Sequence, residues 1–206
     1  MSKPRQYGFP LSPTRKTSAY HHGNLREAAL KAAQAAIERE EVGELSLRGI
    51  AQGLGVTHRA LYRHFSNRDA LVTALAADGF ATLRDAIAAA VASSSASQRA
   101  NGAISAYVTF ALTRRNLYRV MFSLPAERLL KEPELGRQVM GAIDALADAF
   151  RRKNDPPGIS ASLRDRAIAA WGFAHGLCDL WHAGALRAQD ATKAHAFIMK
   201  LFDASG

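Results

Sequence analysis

The sequence lacks the features that mark secreted, disulfide-stapled and membrane-spanning proteins. Its 206 residues include one cysteine, Cys178, which cannot form an internal disulfide. The longest purely apolar run is the short stretch 86–92, far below the roughly 18 residues needed to cross a bilayer. The N-terminus has no apolar segment of the kind found in signal peptides. We therefore expect a cytoplasmic protein that has no membrane partner.

Acidic residues are missing from two segments in the first third of the chain. Residues 1–26 carry five basic side chains and residues 45–68 carry four arginines, and neither segment contains an acid. These two segments account for the whole net charge of +9, because the remaining charges balance. Positive charge confined in this way indicates a surface for a polyanion. The alternative is a basic tail that is simply solvated.

Sustained strand alternation is also missing, and apolar residues recur at helical spacing along most of the chain. The pattern predicts an all-α protein with about nine helices. Ser162 and Asp165 resemble a capping box and predict the start of a helix that reaches about residue 185.

A helix-turn-helix is indicated between residues 46 and 66. Ser46 is a good N-cap for a first short helix, and Gly55 suits the left-handed position at its end. Thr57 then caps a second short helix, on which Leu61 and Phe65 face inward. The outward face of that second helix carries His58, Arg59, Tyr62 and Arg63, which suits phosphates and base edges.

The motifs around this turn resemble the TetR/AcrR family of transcriptional regulators. The resemblance covers about residues 22–75 and rests on Ser46-Leu47-Arg48-Gly49-Ile50-Ala51, Gly55-Val56-Thr57 and Leu61-Tyr62-Arg63-His64-Phe65-Ser66-Asn67-Arg68-Asp69-Ala70-Leu71. Ser46 and Arg68 stand where threonine and lysine are commoner. Further along, Leu117-Tyr118-Arg119-Val120-Met121-Phe122 and Trp171-Gly172-Phe173-Ala174-His175-Gly176 resemble the Trp-His-Gly type of effector domain.

Three regions are expected from the composition of the N-terminus and from the resemblance. Residues 1–22 are expected to form a flexible basic arm, residues 23–68 a three-helix DNA-binding head with the helix-turn-helix, and residues 69–206 a helical body for effector binding and dimerisation. Arg15 and Lys16 of the arm could enter the minor groove. A tail that only raises non-specific affinity is the alternative.

The expected DNA contacts fall on the second helix and its flanks. Because recognition helices place their N-terminal residues against bases, His58 and Arg59 are assigned to base edges, and Arg59 can grip guanine with two hydrogen bonds. Thr57, Tyr62 and His64 resemble family residues that touch phosphates, although His64 could instead pack against the first helix of the head. Arg63 shares the outward face, and Arg48 and Arg68 flank it as phosphate contacts.

An effector pocket is expected around one helix of the body. Trp171, His175, Cys178 and His182 fall on one helical face and could line an apolar pocket together with Phe110, Met121 and Phe122. The alternatives are a plain core and a metal site. His175 and Cys178 are ligand types, but no third or fourth ligand can be named, so no metal and no other cofactor is expected.

Dimerisation is expected on the last two helices, as in the family. Gly172 and Gly176 permit close helix packing, and Phe197, Ile198 and Leu201 supply an apolar face. The alternative is that this face only closes the core of the monomer.

The function expected from these patterns is that of a homodimeric, ligand-responsive repressor that binds a palindromic double-stranded DNA operator. The ligand is an unidentified small molecule. One alternative is a DNA-binding regulator with no small-molecule ligand, controlled by a protein partner. A helical enzyme with a helix-turn-helix head is the other, but the sequence offers no catalytic constellation, so we expect no enzymatic activity.

Overall fold

The computed structural model describes residues 25–39 and 45–204, and within these ranges it contains ten α-helices and no strand. The tenth helix, beyond the nine or so expected, is the short α7. The predicted all-α fold is confirmed, and none of the described helices is long and apolar enough to cross a membrane. The helices are α1 (Leu25–Glu38), α2 (Leu47–Leu54), α3 (His58–Tyr62), α4 (Arg68–Ser93), α5 (Arg99–Thr113), α6 (Arg115–Phe122), α7 (Ala126–Lys131), α8 (Pro133–Ala149), α9 (Ala161–His182) and α10 (Ala191–Asp203).

Side-chain caps set the limits of the short helices in the head. Ser46 Oγ accepts a hydrogen bond from the Gly49 amide at 3.0 Å, and Thr57 Oγ1 accepts one from the Ala60 amide at 3.3 Å. Between them, Gly55 ends α2 with a φ of 66°, where a side chain would be strained. These caps satisfy backbone amides that have no partner inside the helix, so they fix where α2 and α3 begin.

The head is held by a small apolar core shared by α1, α2 and α3. Ile37 from α1, Ile50 from α2 and Leu61 from α3 are all buried, and Phe65 closes the end of α3. Burying one such side chain stabilises the fold by roughly 1.5–3 kcal/mol. Since α3 has only five residues, this core and the Thr57 cap give it an orientation that its own hydrogen bonds could not maintain.

The body is built around α4, a helix of 26 residues that begins at the predicted boundary between head and body. Leu71, Leu75 and Ile87 are almost fully buried, and buried residues occur on more than one face of this helix. Helices α5 and α8 pack along it, α9 packs against both α5 and α8, and α10 packs against α5 and α9. Because α4 continues without a break from head to body, the exact boundary at residue 68 stays a prediction.

Helix α6 approaches α4 closely at a glycine. A Cβ atom placed on Gly79 would lie 2.6 Å from Sδ of Met121, which is closer than real Cβ atoms come. The absence of a side chain at Gly79 therefore lets α6 lie against α4. This contact matters because α6 also touches α1 of the head.

Ser160, and not Ser162, starts α9. The hydroxyl of Ser160 accepts a hydrogen bond from the Leu163 amide at 3.2 Å, so the helix begins two residues earlier than expected. It ends at His182, before the predicted residue 185. The capping-box pattern at Ser162 and Asp165 was misleading because a second serine stands just before it.

Candidate nucleic-acid interface and effector site

The predicted DNA-contacting side chains all lie on the surface of the head. Leu61 and Phe65 anchor α3 from below and are 0% and 2% exposed, whereas the outward side chains remain accessible. The rings of His58 and Tyr62 meet edge to face at 4.4 Å between their centres, one helical turn apart. The exposed set comprises Arg48, Thr57, His58, Arg59, Tyr62, Arg63, His64 and Arg68.

Two members of this set have positions that bear on the alternatives. His64 is exposed, which favours the predicted phosphate contact over the packing role considered from the sequence. Arg68 donates from Nε to the Leu45 carbonyl oxygen at 3.0 Å and so joins the start of α4 to the segment before α2. Arg68 therefore has a structural role in the head in addition to its predicted phosphate contact. Arg15 and Lys16, the predicted minor-groove residues, lie outside the described residues.

A chain of hydrogen bonds crosses the body between α5, α6 and α9. Trp171 donates from Nε1 to the Tyr107 hydroxyl oxygen at 3.0 Å. The Tyr107 and Tyr118 hydroxyl oxygens are 3.1 Å apart, and Tyr118 lies 2.5 Å from Nδ1 of His175. Burial raises the pKa of both tyrosines well above the ordinary value, so both hydroxyls stay protonated. The chain fixes the orientation of α9 against α5 and α6.

Beside this chain lies a small apolar cavity of about 20 Å³, enough for little more than one water molecule. Of the predicted ligand-binding residues, Phe122 and Trp171 border it. The cavity is lined by Phe80, Leu83, Ile87, Tyr107, Phe122, Val139, Ala142, Ile143, Leu146 and Trp171. Its walls come from α4, α5, α6, α8 and α9, so any molecule that enters must separate these helices.

The other predicted pocket residues do not line the apolar cavity. Phe110, Met121 and Cys178 are buried in the core and border neither this cavity nor the groove described next. Burial raises the pKa of the Cys178 thiol to about 12. His175 belongs to the hydrogen-bonded chain. Of the four residues that helical spacing grouped on α9, Cys178 is buried and Trp171, His175 and His182 are half-buried, so the spacing alone does not distinguish a pocket wall from packed core.

His182 lies in an open groove of about 500 Å³ between α6 and the end of α9. Its Nε2 donates to the Ala111 carbonyl oxygen at 3.1 Å, while Nδ1 is buried with no hydrogen-bond partner among the described residues. Burial lowers the pKa of His182, and the nearby Arg115 adds to that effect, so the neutral form is favoured. The groove is lined by Arg115, Tyr118, Arg119, Phe122, Ser123, Asp179, His182 and Ala183.

Sequence reasoning missed both arginines of this groove and both tyrosines of the hydrogen-bonded chain. Arg115 and Arg119 are four residues apart on α6 and opposite its buried residues, so the amphipathic pattern of that helix contained a usable signal. Tyr107 and Tyr118 come from different helices, and nothing in the sequence shows that their hydroxyls meet.

The predicted dimer face is partly exposed. A Cβ atom on Gly172 or Gly176 would meet nothing within 4 Å, so neither glycine is needed for packing inside the protomer. Phe197 is 42% exposed and Leu201 is half-buried. The prediction that Ile198 belongs to the dimer face is wrong. Ile198 is fully buried within the protomer, so it cannot contribute to the surface of an interface.

Two further apolar side chains extend this exposed face. Ile168 and Leu180 lie at spacings of four residues from the glycines, and they are 48% and 47% exposed. Neither residue is conspicuous in the sequence, because an isolated apolar residue on a helix is common on protein surfaces.

Comparison with family sequence models decides the family of the chain. Residues 29–75 match the family described as bacterial regulatory proteins, tetR family. Residues 100–204, half of the chain, match the family described as tetracyclin repressor-like, C-terminal domain. The chain belongs to the TetR family. It is thus a DNA-binding transcriptional regulator and not an enzyme. No curated protein matches it in sequence.

Solved structures share the TetR-like fold over most of the chain. A protein of unknown function from Rhodococcus sp. RHA1 is 29% identical with a TM-score of 0.70, and the match covers 91% of this chain and 98% of that one. A TetR/AcrR transcriptional regulator from Thermobifida fusca is 17% identical with a TM-score of 0.61, covering 85% and 94%. A tetR-family regulatory protein from Rhodococcus RHA1 is 21% identical with a TM-score of 0.56, covering 85% and 93%. At the two lower identities the likeness is one of fold.

Proposed function

We propose that this TetR-family regulator is a ligand-responsive repressor that binds a palindromic operator in the cytoplasm as a homodimer. The observation that carries the proposal is the exposed face of α3. Its apolar residues anchor it to the head, and its outward side chains together with the flanking arginines form a surface with no acid between residues 45 and 68. Such a surface suits the phosphates and base edges of a major groove.

Within this proposal Arg59 reads a base and Arg48 holds a phosphate. Arg59 lies in the first turn of α3, the part of a recognition helix that reaches base edges. Arg48 lies on α2, which in this motif crosses the DNA backbone. The two arginines carry the same charge and are both exposed, so they form a matched pair for an experiment.

The Arg59→Ala variant is expected to lose discrimination at one base pair in each half-site, by roughly tenfold or more. The Arg48→Ala variant is expected to weaken binding to all sequences alike and to lower the salt dependence by about one phosphate contact. Both are measured by titrating operator variants at several salt concentrations. A uniform loss for Arg59→Ala, with base preference intact, would contradict its assigned role.

The dimer proposal rests on the outer face of α9 and α10. Ile168 and Leu180 leave apolar surface uncovered on the same face of α9 as Gly172 and Gly176, and Phe197 does so on α10. Two copies of this face related by a two-fold axis would cover these surfaces and place two α3 helices on one operator, with half-sites about 34–36 Å apart.

A charge at Gly176 tests the dimer without disturbing the protomer. The Gly176→Glu variant puts a carboxylate into the proposed interface, yet its Cβ atom has free space and glycine is itself a poor helix former. We expect a monomer in sedimentation equilibrium and weaker operator binding. The control is Ala89→Glu on the exposed side of α4, which should stay dimeric. If Gly176→Glu also stays dimeric, α9 does not form the interface.

Ligand response is proposed to act through α6. Asn116 donates from Nδ2 to the Ile37 carbonyl oxygen at 2.8 Å and so joins α6 to the end of α1 in the head. The last residue of the same helix, Phe122, borders the apolar cavity. A molecule that enters the cavity would displace Phe122, and with it α6 and the head. A coupling of about 1–3 kcal/mol between ligand and operator is enough for a useful switch.

The small size of the cavity favours a second candidate, a DNA-binding regulator with no small-molecule ligand that a protein partner controls. Because the cavity measures only about 20 Å³, the body would then be a packed core without a ligand pocket. Thermal unfolding in the presence of small molecules separates the two, because a molecule that binds the native state raises the melting temperature.

A further inference from the structure

The open groove of the body has a positively charged wall. Arg115 and Arg119 lie one turn apart on the exposed side of α6 and both line it. Among the described lining residues only Asp179 is acidic, and His182 favours its neutral form. The groove therefore carries one more arginine than acid, and its field attracts an anion.

Both arginines have N–H donors that make no hydrogen bond to the described residues and are available to a ligand. Arg115 uses one N–H in a hydrogen bond to the His182 carbonyl oxygen at 2.9 Å. Arg119 makes no hydrogen bond or ion pair with any residue that the structure describes. Because a guanidinium presents five N–H donors in a planar fork, Arg119 can hold a carboxylate through two parallel hydrogen bonds.

One side chain lines both this groove and the apolar cavity. Phe122 borders both, and it is half-buried at the last residue of α6. Its ring lies 5.4 Å from that of Phe80 on the cavity side and 4.8 Å from that of Tyr118, which lines the groove. A ligand that reaches from the charged groove into the apolar interior therefore has to displace Phe122, and the helices around the cavity have to separate to make room for it.

We propose that the effector of this regulator is an amphipathic carboxylate: its carboxylate binds Arg119 and Arg115 in the groove, and its apolar chain displaces Phe122 and enters the cavity. The inference rests on the proposed ligand response and adds the chemical class of the ligand. The cavity wall beyond Phe122 is almost entirely apolar, with only Tyr107 and Trp171 carrying polar atoms. Both are already hydrogen-bonded to each other, so the interior offers little to a polar ligand.

The position of the site explains how such a ligand would act on DNA binding. Arg115, Arg119 and Phe122 all belong to α6, and Asn116 on the same helix holds the Ile37 carbonyl of the head. A ligand that binds both the arginines and the interior therefore acts on a short helix that also contacts α1 of the head.

The test uses tryptophan fluorescence as a probe of the interior. The chain has two tryptophans, and the Trp181→Phe variant leaves Trp171 in the cavity wall as the only one. Decanoate, below its micelle concentration, is expected to bind once per chain and to change the emission of Trp171. Acetate and 1-decanol, which supply only the head or only the chain, should bind at least tenfold more weakly. Octanoate should bind more weakly by about fourfold for each methylene removed.

Charge variants test the groove end of the ligand. Arg119→Gln in the same background should weaken decanoate binding by about tenfold and leave the weak binding of 1-decanol unchanged. The control is Lys153→Gln, which removes the same charge from an exposed site at the opposite end of α9. Equal binding of decanoate and 1-decanol, no effect of Arg119→Gln, or an unchanged Trp171 signal on binding would each overturn the proposal.

Operator binding in the same samples separates this inference from the function on which it rests. If the protein binds its operator and decanoate does not release it, the carboxylate proposal fails and the regulator stands. If the protein shows no sequence preference for DNA with or without decanoate, the proposed function itself fails.

Discussion

Replacing Tyr107 by phenylalanine should destabilise the protein more than replacing Tyr118, although Tyr118 makes the shorter hydrogen bond. The reason is the direction in which the hydrogen bonds between Trp171, Tyr107, Tyr118 and His175 run from donor to acceptor. Trp171 can only donate, so the Tyr107 oxygen accepts from it. Asp179 lies 3.5 Å from Nε2 of His175, so a hydrogen on Nε2 would face a carboxylate; we therefore place the hydrogen there and treat Nδ1 as the acceptor. Tyr107 then donates to Tyr118, and Tyr118 donates to Nδ1 of His175.

The magnitudes follow from what each substitution leaves unpaired. In Tyr118→Phe the Tyr107 hydroxyl can turn to Nδ1 of His175, which is 3.0 Å away, so the loss is about 0.5–1.5 kcal/mol. In Tyr107→Phe the indole N–H of Trp171 loses its acceptor, which adds about 1–3 kcal/mol for an unpaired polar group. The double variant should lose about 1 kcal/mol more unfolding free energy than the two single variants added together. Only in the double variant does Nδ1 of His175 lose both of its hydrogen-bond partners.

Urea unfolding followed by circular dichroism measures these free energies at one protein concentration, together with the m-value as a check for a changed unfolded state. Leu30→Val in the head, far from the chain, serves as a control for additivity with either tyrosine variant. Equal costs for the two single variants, or strict additivity of the double variant, would refute the proposed direction of the hydrogen bonds.

Three further predictions concern the core and the connection between head and body. Cys178 is fully buried with a raised pKa, so it should react with a thiol reagent only as fast as the protein opens; rapid reaction of the native protein would contradict its burial. Gly79→Ala should cost about 1–3 kcal/mol because the new methyl group meets Met121, whereas Gly53→Ala, with free space, should be neutral or stabilising; thermal unfolding compares them. Asn116→Ala should speed hydrogen exchange at the end of α1 and leave α8 unchanged; equal protection would show that the Ile37 contact is unimportant.

The helix-turn-helix could be predicted from the sequence because its determinants are local. Ser46, Gly55 and Thr57 act on backbone groups within three residues of themselves, so their effect does not depend on the rest of the fold. The cap of α9 could not be predicted in this way, because Ser160 and Ser162 stand close together and either could start the helix. The structure shows that Ser160 forms the cap.

The effector site could be predicted only in part because its determinants are not local. Trp171 and Phe122 border the small cavity, whereas Cys178, on the same helical face as Trp171, is buried in the core. Whether an inward residue meets a neighbour or a void depends on helices that are distant in sequence. The hydrogen bond between Tyr107 and Tyr118 and the positions of Arg115 and Arg119 in the groove arise in the same way.

The central claim is that the exposed face of α3 reads a DNA sequence. Footprinting of the purified protein on the DNA upstream of its own coding region, at a stated salt concentration, tests this most directly. The account predicts a protected palindrome whose half-sites are one helical turn, or a multiple of it, apart, and in which Arg59→Ala removes the preference at one base pair of each half-site. Weak protection that falls steeply with salt and is indifferent to sequence, in this region and across a random genomic library, would contradict it.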